Sequence, residues 1–248
     1  PAAIGRTAEL PLSAEAVKQL KQGGLAAEGP GTIDAALKVE FPDQTPVRQL
    51  AEKLSALPAA FGFRAAEGMP RAPWKSTYGS DFARLEERGG EKILLLDNDN
   101  PQNKFQIFRA PVPASAGDIC GAKFRARVVR SEPGKSAFNF ALIPPGIKGG
   151  PIPLVIKLFE SSFTIDGWGE FPLSAGKAHD FALALDRTNG LAVVLVDGEI
   201  AAAGTLSADP AGKAAAWFGD GASATTGAAE LESLTVYLDQ NGKEGSAK

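Results

Sequence analysis

A chain of 248 residues, 44% of them hydrophobic, is long enough to bury a substantial core within one large β domain. Its 28 glycines and 18 prolines suit a fold with many turns and argue against a purely helical protein. A formal net charge of −3 excludes a general attraction to nucleic acid or to anionic membranes. No apolar run approaches the length of a membrane-spanning helix, so membrane insertion is not expected.

The chain opens on Pro1-Ala2-Ala3. An alanine-rich start matches the small-residue end of a cleaved secretory signal and predicts a secreted or periplasmic protein, although a trimmed start reads the same way. Ser13 suits the N-cap of a short helix over residues 13–20, stopped by Gly23-Gly24. Residues 35–41 read as a strand. A second helix follows over 46–54, with Thr45 at its cap, Pro46 at its first position and Pro58 as terminator. Val47, Leu50, Leu54 and Leu57 fall on one face of it, so it packs against something. Gly68-Met69-Pro70-Arg71-Ala72-Pro73 reads as a linker. These features make residues 1–75 an N-terminal extension or small α/β subdomain, residues 76–240 a β-sandwich, and residues 241–248 a flexible tail.

From about residue 78 the hydrophobic period changes to two. Strands are predicted over 93–96, 104–108, 122–130, 136–143, 154–159, 162–165, 180–185, 191–196, 199–205, 214–218 and 230–238, nearly all separated by turn residues. Phe124, Ala126 and Val128 share one face, as do Phe181, Leu183 and Leu185, and Leu191, Val193 and Leu195. Arg187-Thr188-Asn189-Gly190 and Asp197-Gly198 read as hairpin turns. So many short strands signal an antiparallel sandwich or barrel. Cys120 stands alone, which rules out an internal disulfide, and reads as a small buried hydrophobe.

Residues 178–186, a turn, and residues 191–199 form a strand ending in Asp, a hairpin, and a strand ending in Val196-Asp197-Gly198. This order resembles the core of concanavalin A-like lectin/glucanase modules. Trp217-Phe218-Gly219-Asp220-Gly221, then Gly227 and a closing strand, is similar to the endings of sialidase-associated and laminin-G-like domains. The resemblance covers about two-thirds of the chain and implies a mainly β fold, an antiparallel jelly-roll sandwich. It is weak for function, because this fold hosts lectins, hydrolases, lyases and inert modules.

Candidate chemistry is sparse. Retaining glycosidases need two carboxylates close together. Glu160, Asp166 and Glu170 supply acids, but not at the Glu-x-Asp-x-x-Glu spacing of the family-16 glucanases that share the fold. Alginate-lyase-like jelly rolls use a Gln-Ile-His strand; here Gln106-Ile107 is followed by Phe108. The one histidine, His179, reads as structural. Asp97-Asn98-Asp99-Asn100 is the metal candidate, with Asp97 and Asp99 as oxygen ligands for a structural calcium; otherwise no cofactor is expected. Lys123, Arg125 and Arg127 line one face of one strand and suit an anionic glycan, or else acidic neighbours on a solvated sheet. Trp74, Trp168 and Trp217 are the candidates for stacking on sugars. Trp168, between two glycines, reads either as an exposed loop ring or as a plug at the sandwich edge, and Trp217 as core. The expectation is a non-catalytic, lectin-like module that binds a polysaccharide or other glycan. The alternatives are a carbohydrate-active enzyme using Glu160, Asp166 or Glu170, and a structural or protein-interaction domain contacting its partner through Val47, Leu50 and Leu54.

Overall fold

The computed structural model describes residues 45–77, 82–98, 106–145, 154–205, 213–220 and 227–239. The helix predicted at 13–20, the strand at 35–41, the tail and Asp99 lie outside the described residues. The chain divides after residue 44, and all described residues belong to the unit Thr45–Lys248.

The predicted second helix is α1, Thr45–Ala56, and it ends two residues before Pro58. Strands follow in the order β1 (Ala59–Arg64), β2 (Lys75–Thr77), β3 (Ala83–Arg88), β4 (Glu91–Asn98), β5 (Ile107–Pro111), β6 (Ile119–Ser131) and β7 (Phe138–Ile143). The rest are β8 (Leu154–Leu158), β9 (Ser162–Ile165), β10 (Gly169–Pro172), β11 (His179–Asp186), β12 (Leu191–Val196), β13 (Glu199–Thr205), β14 (Ala215–Gly219) and β15 (Gly227–Leu238). They form two antiparallel sheets. One has eight strands in the order β13-β12-β11-β6-β15-β4-β3, with β1 also paired to β15. The other has seven, in the order β10-β9-β8-β7-β14-β5-β2.

Period-two burial accounts for the layering. Phe124, Ala126 and Val128 point inward from β6, and Phe181, Leu183 and Leu185 from β11. Phe124 stacks on Phe181 at 4.8 Å and meets Phe140, from the other sheet, at 5.1 Å. Cys120 is buried beside them, as its hydrophobic reading predicts. Burial pushes its thiol up to about 12, against a smaller opposing pull from Arg187.

The boundary expected near residue 75 is not where the fold divides. β1 pairs with β15 from Ala59↔Tyr237 to Arg64↔Ser233. Phe63 stacks on Phe218 at 6.2 Å, and Trp74 is buried with its indole N–H donating to the Gly62 carbonyl at 3.1 Å. Thus the segment that proline and glycine mark as a linker is a tight turn returning a tryptophan to the core. Trp74 is thereby removed as a sugar platform. On the outer face of the eight-stranded sheet, Leu50 and Leu54 of α1 pack against Ala184, with Ile119, Leu191 and Tyr237 around them. Val47 is buried as well, so the apolar helix face offered to a protein partner is covered by the domain's own sheet.

Candidate functional site

Strand β14 has the sequence Ala-Ala-Trp-Phe-Gly. Phe218 points inward and stacks on Phe108 at 5.1 Å. Successive side chains in a strand face opposite ways, so Trp217 lies on the outer face of the seven-stranded sheet. This corrects the reading of Trp217 as core. The sequence signal was present: two adjacent large aromatics in one strand cannot both face the same interior.

The ladder sets the neighbours of Trp217. Arg109 of β5 and Ala141 of β7 stand directly opposite it. Lys75 of β2 stands opposite Arg109, and Val155 of β8 opposite Ala141. Paired residues in an antiparallel sheet share a face, so Lys75, Arg109, Trp217, Ala141 and Val155 form one row. Ala215 lies on the same face of β14 as Trp217 and is buried, as are Ala141 and Gly219, while the indole itself is partly exposed. The parallel row runs Ile107, Gly219, Asn139, Lys157, Thr164 and Glu170. Asn139 is anchored by a hydrogen bond with Ser136 Oγ at 2.8 Å. Asn139 is buried, so the accessible polar side chains of this row are Lys157, Thr164 and Glu170, and with the partly exposed indole they form a surface suited to the apolar face of a sugar ring and to its hydroxyls.

The residues expected from sequence fall elsewhere. Lys123, Arg125 and Arg127 do share a face, but it is the outer face of the eight-stranded sheet, among acids. Arg125 pairs with Asp180 and Glu232, both at 2.9 Å, and Arg127 with Glu230 at 2.6 Å. Lys123 lies 5.5 Å from the Tyr237 ring centre. Trp168 is the edge plug: it packs on the core from the β9–β10 turn, and a Cβ added at Gly204 of β13 would lie 2.6 Å from its Cε2. Its ring therefore bridges the edges of the two sheets. Asp97 pairs with Arg84 at 3.1 Å and with Arg130 at 2.5 Å, so its oxygens are held by guanidinium groups. Among the described residues no cluster of three or more His, Cys, Asp or Glu has metal-binding geometry.

Glu160 lies apart from the other two acids, whereas Glu170 stands opposite Thr164, a diagonal neighbour of Asp166 on the same face, and each of that pair is held by its own partner. Glu160 sits in the β8–β9 turn, its amide donating to Ser131 Oγ at 3.2 Å. Asp166 follows the far end of β9 and pairs with Lys157 at 2.6 Å. The strand between them spans about 13 Å, beyond the separation used by retaining or inverting glycosidases. Glu170 accepts from Ser162 Oγ at 2.5 Å. His179 is buried, with Nδ1 2.7 Å from Asp197 Oδ2 and Nε2 3.1 Å from the Ser174 carbonyl oxygen. A carbonyl only accepts, so Nε2 carries a proton and cannot act as base toward a nucleophile. Cavities adjoin the sandwich. One, beside His179 and Glu160, measures about 10 Å³, room for a single water. Another, about 530 Å³, is lined by Phe61, Pro73, Pro111, Pro113, Leu238 and Asp239 among others. Neither is lined by a pair of carboxylates.

No protein-family model matches the chain, and no curated protein is similar to it in sequence. Among solved structures it is similar to a carbohydrate esterase from the Shiga toxin-encoding bacteriophage phi24B. The identity is 15% and the TM-score 0.57, over 74% of this chain and 99% of that one. It is also similar to the carbohydrate recognition domain of Emp46p, at 10% identity and TM-score 0.48, over 73% of this chain and 97% of that one. A galectin-like protein from Bacillus subtilis shares 10% identity at TM-score 0.47, over 72% of this chain and 95% of that one. Likeness at such identity concerns the fold alone. The domain is a concanavalin A-like jelly-roll sandwich, the fold that the Val196-Asp197-Gly198 hairpin and the closing strand imply.

Proposed function

We propose that the protein is a non-catalytic, lectin-like domain that binds a glycan on the outer face of its seven-stranded sheet. The observation that carries this reading is Trp217: a large aromatic turned out of the sandwich and bordered by Ala141, Ala215 and Gly219. Likeness of fold to a carbohydrate esterase, over nearly the whole of that chain, supports a carbohydrate partner. Neither cavity is lined by two carboxylates, and Asp166 and Glu170, which stand near one another on the sheet face, are held by Lys157 and Ser162, which favours binding over hydrolysis.

A glycan array probed with the whole chain, followed by titration of the best glycan against Trp217→Ala, tests it. The expected result is saturable binding that weakens roughly tenfold or more on losing the ring, since buried aromatic contacts dominate such interfaces. Thermal stability should change little, because the indole packs outside the core. Failure to retain any glycan, or a variant that binds like the parent, would sink the reading.

A further inference from the structure

On the eight-stranded sheet the arginines of β3 and β6 are all neutralised from within, whereas Lys123 faces the Tyr237 ring and Arg64 of β1 is exposed with no acid partner among the described residues. Arg84 pairs with Glu86 and Asp97, Arg88 with Glu86 and Glu230, Arg125 with Asp180 and Glu232, Arg127 with Glu230, and Arg130 with Asp97. On the seven-stranded sheet, Lys75 and Arg109 are exposed and stand directly opposite one another. Among the described residues neither has an ion-pair partner, and the rest of their row is Trp217, Ala141 and Val155, with no acid. Lys157, the next cation on that face, is held by Asp166. Glu170 lies five strands from β5, about 24 Å away by strand spacing.

Like charges directly opposite in a ladder repel. Here the repulsion is left standing beside a partly exposed indole, where an anion would relieve it. We infer that the glycan bound on this face is acidic, carrying a carboxylate or sulfate that Arg109 grips and Lys75 supports while a sugar ring stacks on Trp217. The planar guanidinium matches either anion with two parallel hydrogen bonds, and the ammonium adds a point charge. This inference rests on the proposed glycan-binding role of the Trp217 face and adds the ligand's chemical class.

The test compares a polyuronate, a sulfated galactan and a neutral β-glucan by titration against the whole chain at low and high salt. The anionic polymers should bind more tightly than the neutral one, and more weakly as salt rises. The double variant Lys75→Gln/Arg109→Gln should lose roughly tenfold or more in affinity for the anionic polymer, the scale of one lost charge-assisted contact, and keep its melting temperature. Arg125→Gln/Arg127→Gln on the opposite face should bind like the parent. Preference for one anionic polymer identifies the anion. Equal affinity for the neutral glucan, with the Lys75/Arg109 variant unchanged, overturns the acidic class but leaves glycan binding standing if Trp217→Ala still weakens it. No binding to any of the three polymers or on the array overturns both.

Discussion

His179 and Asp197 show how one residue pair fixes a turn. Asp197 takes a left-handed φ of 53° and Gly198 one of 85°, the pattern of the tightest hairpins. The Asp197 carboxylate accepts from the Asp180 amide at 2.9 Å and contacts His179 on its other oxygen. Burial alone would raise its pKa. The Asp180 amide, His179 and Arg125 together outweigh that and hold it below the ordinary carboxylate range. A depressed folded value means the charge stabilises the fold above the unfolded pKa, and that contribution disappears as pH falls through the folded value. Asp197→Asn keeps shape and tolerance of positive φ and removes only the charge. Its melting temperature should fall below that of the parent near pH 7, with the gap narrowing by about pH 3, below the ordinary carboxylate value. Thermal melts at both values check this, and a gap that does not depend on pH would refute it. The sequence showed the Asp197-Gly198 turn and a structural His179. Their pairing was not legible, because the two residues meet only once β11 and β12 lie side by side.

At the scale of elements, legibility followed burial. Most strands with one face in the core were visible as alternation, and their observed ends lie within a few residues of those expected. β1 and β2, in the stretch that reads as extension and linker, were not visible, nor were β3 and β10. β3, Ala-Arg-Leu-Glu-Glu-Arg, is an edge strand whose outward charges hide the pattern, a usual device at sheet edges. β10, Gly-Glu-Phe-Pro, borders the other sheet and reads as a turn. Trp217 was misplaced for a related reason: hydrophobicity suggested core, whereas position in the pleat turned it out. The seat of α1 was equally hidden, since it depends on a glycine in a distant strand. A Cβ at Gly121 would overlap both the Leu183 carbonyl oxygen and Leu54 Cδ1. Gly121→Ala must therefore displace the helix and strain the β6–β11 ladder, at a cost of about 1–3 kcal/mol for overpacking. Adding Leu54→Ala relieves the helix contact alone, so the ladder strain should persist. Denaturant melts of the single and double variants measure this, and a Gly121→Ala protein as stable as the parent would contradict the packing described.

At the scale of the whole domain, the decisive question is whether residues 45–75 fold as part of the sandwich. Composition set them apart, because the Gly68–Pro73 segment reads as a joint. The packing joins them: Phe63 and Trp74 both touch Phe218, which stacks on Phe108 and reaches Phe138 at 6.4 Å. Phe138 in turn meets Phe124 at 5.7 Å. One aromatic chain thus runs from β1 to the centre of both sheets, and close-packed cores of this kind unfold as a unit. Phe63→Ala, before the joint, and Phe124→Ala, after it, should each remove about 3–5 kcal/mol, a large share of the 5–15 kcal/mol typical of a domain. Both should shift one cooperative transition, seen alike by tryptophan fluorescence and far-ultraviolet circular dichroism. If β1 were an appendage, Phe63→Ala would split that transition, melting the surroundings of Trp74 early while the sheets held. A second, earlier fluorescence change confined to that variant is therefore the result that separates an appended segment from an integral strand.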